Sequence, residues 1–273
     1  MSRETAAWRS VAAGVAAGAA LTACGERPPA ARPDVAAAEA AQAGYVAPPR
    51  VERVESARTG LVVQGTSHPG ARIRITDAAG AYGGTADAQG RWRVDAPAAP
   101  GPRLFTLSAE RDARVLEAEG RLLVLPDAPA LLLRPGHGAL PVASTPAGRP
   151  RILSIDVAAD GAAAVSGVGP PSAPAVTRID GVAPGDGTAV GSGATDAAGR
   201  FSIILARPLG PGSHLIEVNT PSGLARAQVG VSPADPGTLP FVATRDASGW
   251  RVAWRAPGSA VQTTYVLAPS AAS

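Results

Sequence analysis

The chain has 273 residues, yet no lysine, a single asparagine (Asn219), a single cysteine (Cys24) and only 4% aromatic residues. One cysteine cannot close a disulfide within the chain, so the fold must stand without staples. It also excludes a Cys–His zinc cluster, because zinc sites need several converging ligands. Three histidines leave little for acid–base chemistry. The missing lysine reflects the codon bias of a GC-rich genome, and the arginine count shares that origin. A formal charge of +3 is small for this length. It lacks the dense basic stripe of a nucleic-acid binder. Beyond residue 49 no segment carries a sustained helical period, which excludes a helical bundle.

What is present starts at the N-terminus. Arg3 and Arg9 precede the apolar stretch "VAAGVAAGAAL" at 11–21. It is shorter than the roughly 20 residues a membrane span needs and has signal-peptide length. It runs into "LTAC", with Leu21 three positions before Cys24 and the small residues Thr22 and Ala23 between. This resembles the lipobox of bacterial lipoproteins. The resemblance implies a signal peptide at 1–23, cleavage before Cys24 and acylation of its thiol. It further implies a membrane anchor through the N-terminal lipid. Gly25 follows, where inner-membrane lipoproteins of this kind carry Asp, so the resemblance points to the outer membrane, facing the periplasm. Residues 24–49, rich in Pro and Ala, read as a flexible linker.

The remainder alternates in strand fashion. In "ARIRIT" and "RWRV", Ile73, Ile75, Trp92 and Val94 fall on one face, and Arg72, Arg74, Arg91 and Arg93 on the other. Short strands between Gly, Pro and Asp clusters predict an all-β chain. Self-comparison then matches Gly65 with Gly167, Gly90 with Gly199, Trp92 with Phe201, and "PGPRLFTL" with "PGSHLIEV". The sequence Gly65, Pro69-Gly70-Ala71, Asp87, Gly90, Trp92, Gly101 resembles bacterial Ig-like domains. That resemblance implies two tandem Ig-like β-sandwiches at 50–125 and 150–233. The second copy lacks the Pro-Gly-Ala turn. A connector spans 126–149 and packs on a domain face through Leu131–Leu133. A C-terminal β-hairpin or meander occupies 234–273, docking on the second domain or on a partner's edge.

"DAQGRW" (87–92) recurs as "DAAGRF" (196–201), "DASGW" (246–250) and "DAAGAY" (77–82). Asp87 and Asp196 cap turns, Gly90 and Gly199 supply positive φ, and Trp92 and Phe201 start buried strands; each motif marks a hairpin. No catalytic set converges. Ser67 and His68 in "GTSHPG" lack the final glycine and following helix of a nucleophile elbow. His137 is a connector residue, and His214 a surface strand residue, since Arg103 stands there in the first copy. "GDGTAVGSG" (185–193) leads into a strand, unlike a phosphate loop. Asp180 and Asp186 are too sparse for calcium. Two binding surfaces stay open: a basic face of Arg72, Arg74, Arg91 and Arg93, and the pair Trp250 and Trp254, suited to sugars or a protein interface. The expected function is a non-catalytic structural or protein-interaction module of the cell envelope. The alternative is a glycan- or peptidoglycan-binding module. No enzyme activity, cofactor, metal or nucleic acid is expected.

Overall fold

A computed structural model describes residues 47–57, 60–143, 146–181, 188–232, 234–256, 258 and 260–268. The segments expected as signal peptide and linker, apart from residues 47–49, lie outside the described residues, as do Cys24 and Asp186. The described residues, from Ala47 onward, belong to one compact unit. It is all-β, and among the described residues no helix is long and apolar enough to cross a membrane.

The first repeat comprises β1 (Arg50–Ala57), β2 (Gly60–Thr66), β3 (Arg72–Asp77), β4 (Gly80–Thr85), β5 (Arg91–Pro97), β6 (Arg103–Arg111), β7 (Arg114–Glu117) and β8 (Arg121–Val124). One sheet runs β1-β2-β5; the other runs β8-β6-β3-β4, with β7 also on β6. β3 and β5 bury alternate residues, so Ile73, Ile75, Trp92 and Val94 face the space between the sheets. They share that core with Val63, Phe105, Leu107 and Leu122.

After the connector strands β9 (Leu131–Leu133) and β10 (Leu140–Pro141), the plan repeats. β11 (Arg151–Ala158), β12 (Ala163–Val168) and β15 (Arg200–Ile204) reproduce the β1-β2-β5 sheet. β13 (Pro174–Ile179), β14 (Thr188–Ala194), β16 (Gly212–Thr220) and β17 (Gly223–Val231) reproduce the other as β14-β13-β16-β17. Even an irregularity recurs, for β1 bulges between Val51 and Arg53 and β11 between Ile152 and Ser154. The chain is thus two tandem Ig-like sandwiches with matching strand plans.

Each repeat carries an addition, and neither addition is separate. Leu131–Leu133 form β9, which pairs with β8 and extends the first repeat's sheet rather than lying on its face. The C-terminal strands β18 (Phe241–Asp246), β19 (Gly249–Arg255) and β20 (Val261–Leu267) form a meander. β20 pairs with β11, giving a six-stranded sheet in the second repeat. Boundaries at 126–149 and 234–273 therefore divide in sequence what the sheets join in space. A three-stranded meander has no second layer of its own to cover its apolar residues, so joining a sheet satisfies its edge and brings those residues against a core.

The two additions meet. Leu104, Leu123, Leu125, Leu131, Leu133 and Ala139 cluster with Val252, Trp254, Ala256 and Val266 in a third apolar core. Strand alternation makes this possible: Leu122 faces the first repeat's core while Leu123 faces the third. On β20, Tyr265 faces the second repeat's core and Val266 the third.

Candidate functional site

The Asp-x-x-Gly-Arg motifs are chain crossings between the two sheets. β4 and β5 lie in different sheets, as do β14 and β15, so neither motif closes a hairpin as expected. Asp87 Oδ1 accepts from the N–H groups of Gln89 (2.9 Å) and Arg91 (2.9 Å), and its Oδ2 from Arg91 Nε (3.0 Å). Asp196 does the same with Ala198, Arg200 and Arg200 Nε at 2.9, 2.8 and 2.9 Å. The Arg91 N–H bond, with its guanidinium, holds the Asp87 carboxyl below its usual range. Partial burial works against the Asp196 carboxyl, but the Arg200 bonds outweigh it and hold the group low. Gly90 (φ 77°) and Gly199 (φ 74°) sit where a Cβ would strike the carbonyl of Ser67 or Gly169. The acid and base of "DAQGRW" are therefore bonded to each other as a turn clamp. In contrast, Asp77–Gly80 and Asp246–Gly249 do close hairpins, β3–β4 and β18–β19.

The four arginines do not form one face. Arg72 and Arg74 point outward from β3, Arg91 and Arg93 from β5, on opposite sheets of the sandwich. Arg91 is held by Asp87, and Arg93 is bidentate to Asp95 at 3.0 and 2.7 Å. The Arg93 guanidinium in turn keeps the Asp95 carboxyl low. Arg72 and Arg74 border an open trough of about 720 Å³ over Gly83, but Glu110 borders it too and stands directly opposite Arg72.

The tryptophan pair is not a platform either. Trp254 is 0% exposed at the centre of the third core, its Nε1 donating to Thr264 Oγ1 (3.1 Å). Trp250 packs at the edge of that core, and the guanidinium of Arg245 stands 5.5 Å from its ring. Stacking on a sugar needs an open ring face, and this geometry offers no paired one.

The histidines each turn to local partners. His68 Nε2 lies 2.9 Å from Arg111 Nη1, and His137 Nδ1 3.0 Å from the Pro135 carbonyl. His214 is more than a surface residue: Nδ1 lies 3.1 Å from Asp180 Oδ2 and Nε2 2.9 Å from the Gly210 carbonyl. The first repeat places a buried pair at the same position. There Arg103 Nε meets Asp77 Oδ2 at 2.7 Å, Nη1 the Pro97 carbonyl at 2.8 Å, and the guanidinium stacks 4.5 Å from Phe105.

The most elaborate polar constellation lies at the junction, and it had no counterpart in the expectations. Connector residues 136–139 rest on the outward face of the second repeat. Ser154, Ser166 and Ser202 form a row across β11, β12 and β15. Gly138 N–H donates to Ser202 Oγ (3.1 Å), and Ser154 Oγ donates to the Ala139 carbonyl (3.3 Å). Ala139 N–H donates to Asp156 Oδ2 (2.8 Å) and Thr264 Oγ1 to Asp156 Oδ1 (2.6 Å). Gln262 spans the seat, accepting from Gly136 N–H and donating to the His137 carbonyl, both at 3.3 Å. A Cβ on Gly138 would collide with Ser166 Oγ, so only glycine lies this flat. Burial pushes the Asp156 carboxyl up from 3.8 to about 6, against the pull of Thr264, Ala139, Gln262 and the Arg134 charge.

The corresponding row in the first repeat is Arg53, Gln64 and Arg93, with Glu55 in the place of Asp156. Long polar side chains, Arg53 and Arg93 charged, stand where that face meets water; small polar ones stand where the connector covers it.

No family model matches the sequence, and no curated protein matches it. Among solved structures it is similar to the BSP domain of a biofilm-associated protein, at 14% identity and a TM-score of 0.23. That match covers 71% of this chain and 30% of the other, so the chain spans under a third of that protein's length. A central fibronectin-III array of a RIM-binding protein gives 13% identity, coverage of 78% and 74%, and a TM-score of 0.27. A tetra-tandem repeat from the extending region of a large adhesion protein gives 14%, 82% and 67%, and 0.23. At this similarity none of their activities transfers to the chain.

Proposed function

We propose that the chain is a lipid-anchored, non-catalytic module of the cell envelope that presents two joined Ig-like sandwiches to a protein partner. The observation that supports this best is the junction. A third core and a buried polar seat join the repeats, which is the construction of a rigid spacer or interaction platform. The clefts of an enzyme need convergent reactive groups. Here the acid–base pairs of the sequence motifs are bonded into turns instead. The Leu21–Cys24 lipobox resemblance supplies the anchor, with Cys24 as the acylated residue and the periplasmic face of the outer membrane as the location.

Mass spectrometry of the mature N-terminus tests the anchor: Cys24 should carry diacylglycerol, and a free thiol on a membrane-released chain contradicts it. Crosslinking in the native envelope tests the partner. The reading expects a discrete protein adduct that survives glycan digestion, whereas adducts only to cell-wall glycan would overturn it.

A further inference from the structure

The two repeats share a strand plan, but one sheet edge is treated differently in each. β11 lies inside its sheet because β20 pairs along its outer side, from Ser154 to Ala158. β1 is its counterpart in the first repeat, yet it ends the sheet β1-β2-β5. Among the described residues no strand pairs with its outer side. Other edges turn against the opposite sheet, β4 toward β5, β14 toward β15 and β17 toward β11. The difference shows in burial. Ile155, opposite Tyr265 of β20, is fully buried, whereas Val54 in the matching place is only half-buried against the first core. Val51 is likewise half-buried where Ile152 is buried.

We propose that the open edge of β1 pairs with β1 of a second copy, antiparallel about Val54, into a continuous six-stranded sheet. The charge pattern selects this occupant. Pairing about Val54 sets Val54 against Val54 on the inner side. On the outer side it sets each Arg53 opposite Glu55 of the other copy. Both side chains are exposed, and within one chain they already pair with each other. A two-fold contact joins two such pairs, each worth little alone, into one alternating cluster of four charges. Centring the contact on Arg53 or Glu55 instead would set like charges opposite one another. Glu52, at the bulge, is occupied by the Thr66 hydroxyl, which donates to it at 3.0 Å.

Nothing in the strand blocks the pairing. Edges are guarded by inward-pointing charges, but the inward side chains of β1 are Val51 and Val54. The bulge is no obstacle, since β11 carries it at the same place and still takes β20 from Ser154 onward. The resulting order, β5-β2-β1-β1-β2-β5, has as many strands as the sheet that β20 completes in the second repeat. This contact rests neither on the lipid anchor nor on the partner surface proposed above.

Sedimentation of the mature chain with Cys24→Ser, from about 10 µM to 1 mM, tests the contact. A monomer–dimer equilibrium is expected. Arg53→Glu and Glu55→Arg should each weaken it about ten-fold or more, because each sets like charges opposite one another twice. An equimolar mixture of the two variants should recover a heterodimer, since one is acidic at both places and the other basic at both. A wild-type chain still monomeric at about 1 mM overturns the proposal. So does a monomer whose β1 amides resist hydrogen exchange on both sides, which means an occupant from within the chain. Dimers that the single variants leave unchanged, or that the mixture fails to restore, overturn it as well.

Discussion

The indole of Trp92 lies across Gly65 on the neighbouring strand. The ring of Phe201 lies across Gly167 in the same register in the second repeat. At each glycine a Cβ would strike the carbonyl of Arg50 or Arg151 and come within 2.6 or 2.7 Å of the ring. Each glycine thus gives the aromatic ring its place in the core. Gly65→Ala is expected to destabilise the chain strongly in urea denaturation. Trp92→Leu in the same chain should not rescue it, because the Arg50 carbonyl still obstructs the methyl.

Trp92→Ala and Phe201→Ala should each cost about 3–5 kcal/mol. Trp92→Phe should cost less than about 1.5 kcal/mol. The second repeat already uses Phe there, and the Trp92 Nε1 is buried without an acceptor. Equal losses for Phe and Ala would contradict this packing.

Trp254→Ala empties the centre of the third core and should likewise cost about 3–5 kcal/mol. Its emission in the wild type should be blue-shifted and resist acrylamide quenching. Cell-wall glycan should leave it unchanged. Strong quenching by glycan would return the tryptophan to a binding role.

Asp156 gives the stability a definite pH slope. Between 3.8 and about 6 the folded chain keeps a proton that the unfolded chain has released. The resulting stabilisation is fully present below pH 3.8 and is lost as the pH rises through 6, roughly 3 kcal/mol in all. Asp196 and Asp246 act oppositely: their carboxyls are held low, and their contribution is lost on acidification. Subtracting the D156N stability curve from the wild type isolates the first effect. The wild-type stability minus that of D156N should fall as the pH rises from 4 to 7, on top of a constant cost for the amide; a difference independent of pH would contradict the raised carboxyl.

Much of the fold was legible because it rests on local pattern. Alternation at 71–76 and 91–94, and the glycine and aromatic offsets between copies, carry both sandwiches. The crossing turns were readable only in part. Arg91 and Arg200 follow the glycine where the chain changes sheets, while Ala81 and Trp250 follow it at the hairpins, so the fifth residue carried the distinction. The junction was hidden because Ser154, Asp156 and Gly138 look like surface and turn residues until something covers them. One trace existed: the outward row changes from Arg53, Gln64 and Arg93 to three serines. Loss of charge on an outward row means that the face is covered. The trough beside Arg72 and the place of Trp254 depend on which sheets meet, which no local window contains.

The joined junction is most directly tested by pulsed electron resonance between spin labels on the two repeats. Exposed Thr85 on β4 and Ser192 on β14 suit the purpose, in a chain with Cys24→Ser. Junction and repeats acting as one body predict a single distance distribution, no broader than that of a Thr85–Thr106 pair within the first repeat. Gly138→Ala should broaden it. A broad distribution in the unaltered junction, with the repeats reorienting freely, would contradict the account.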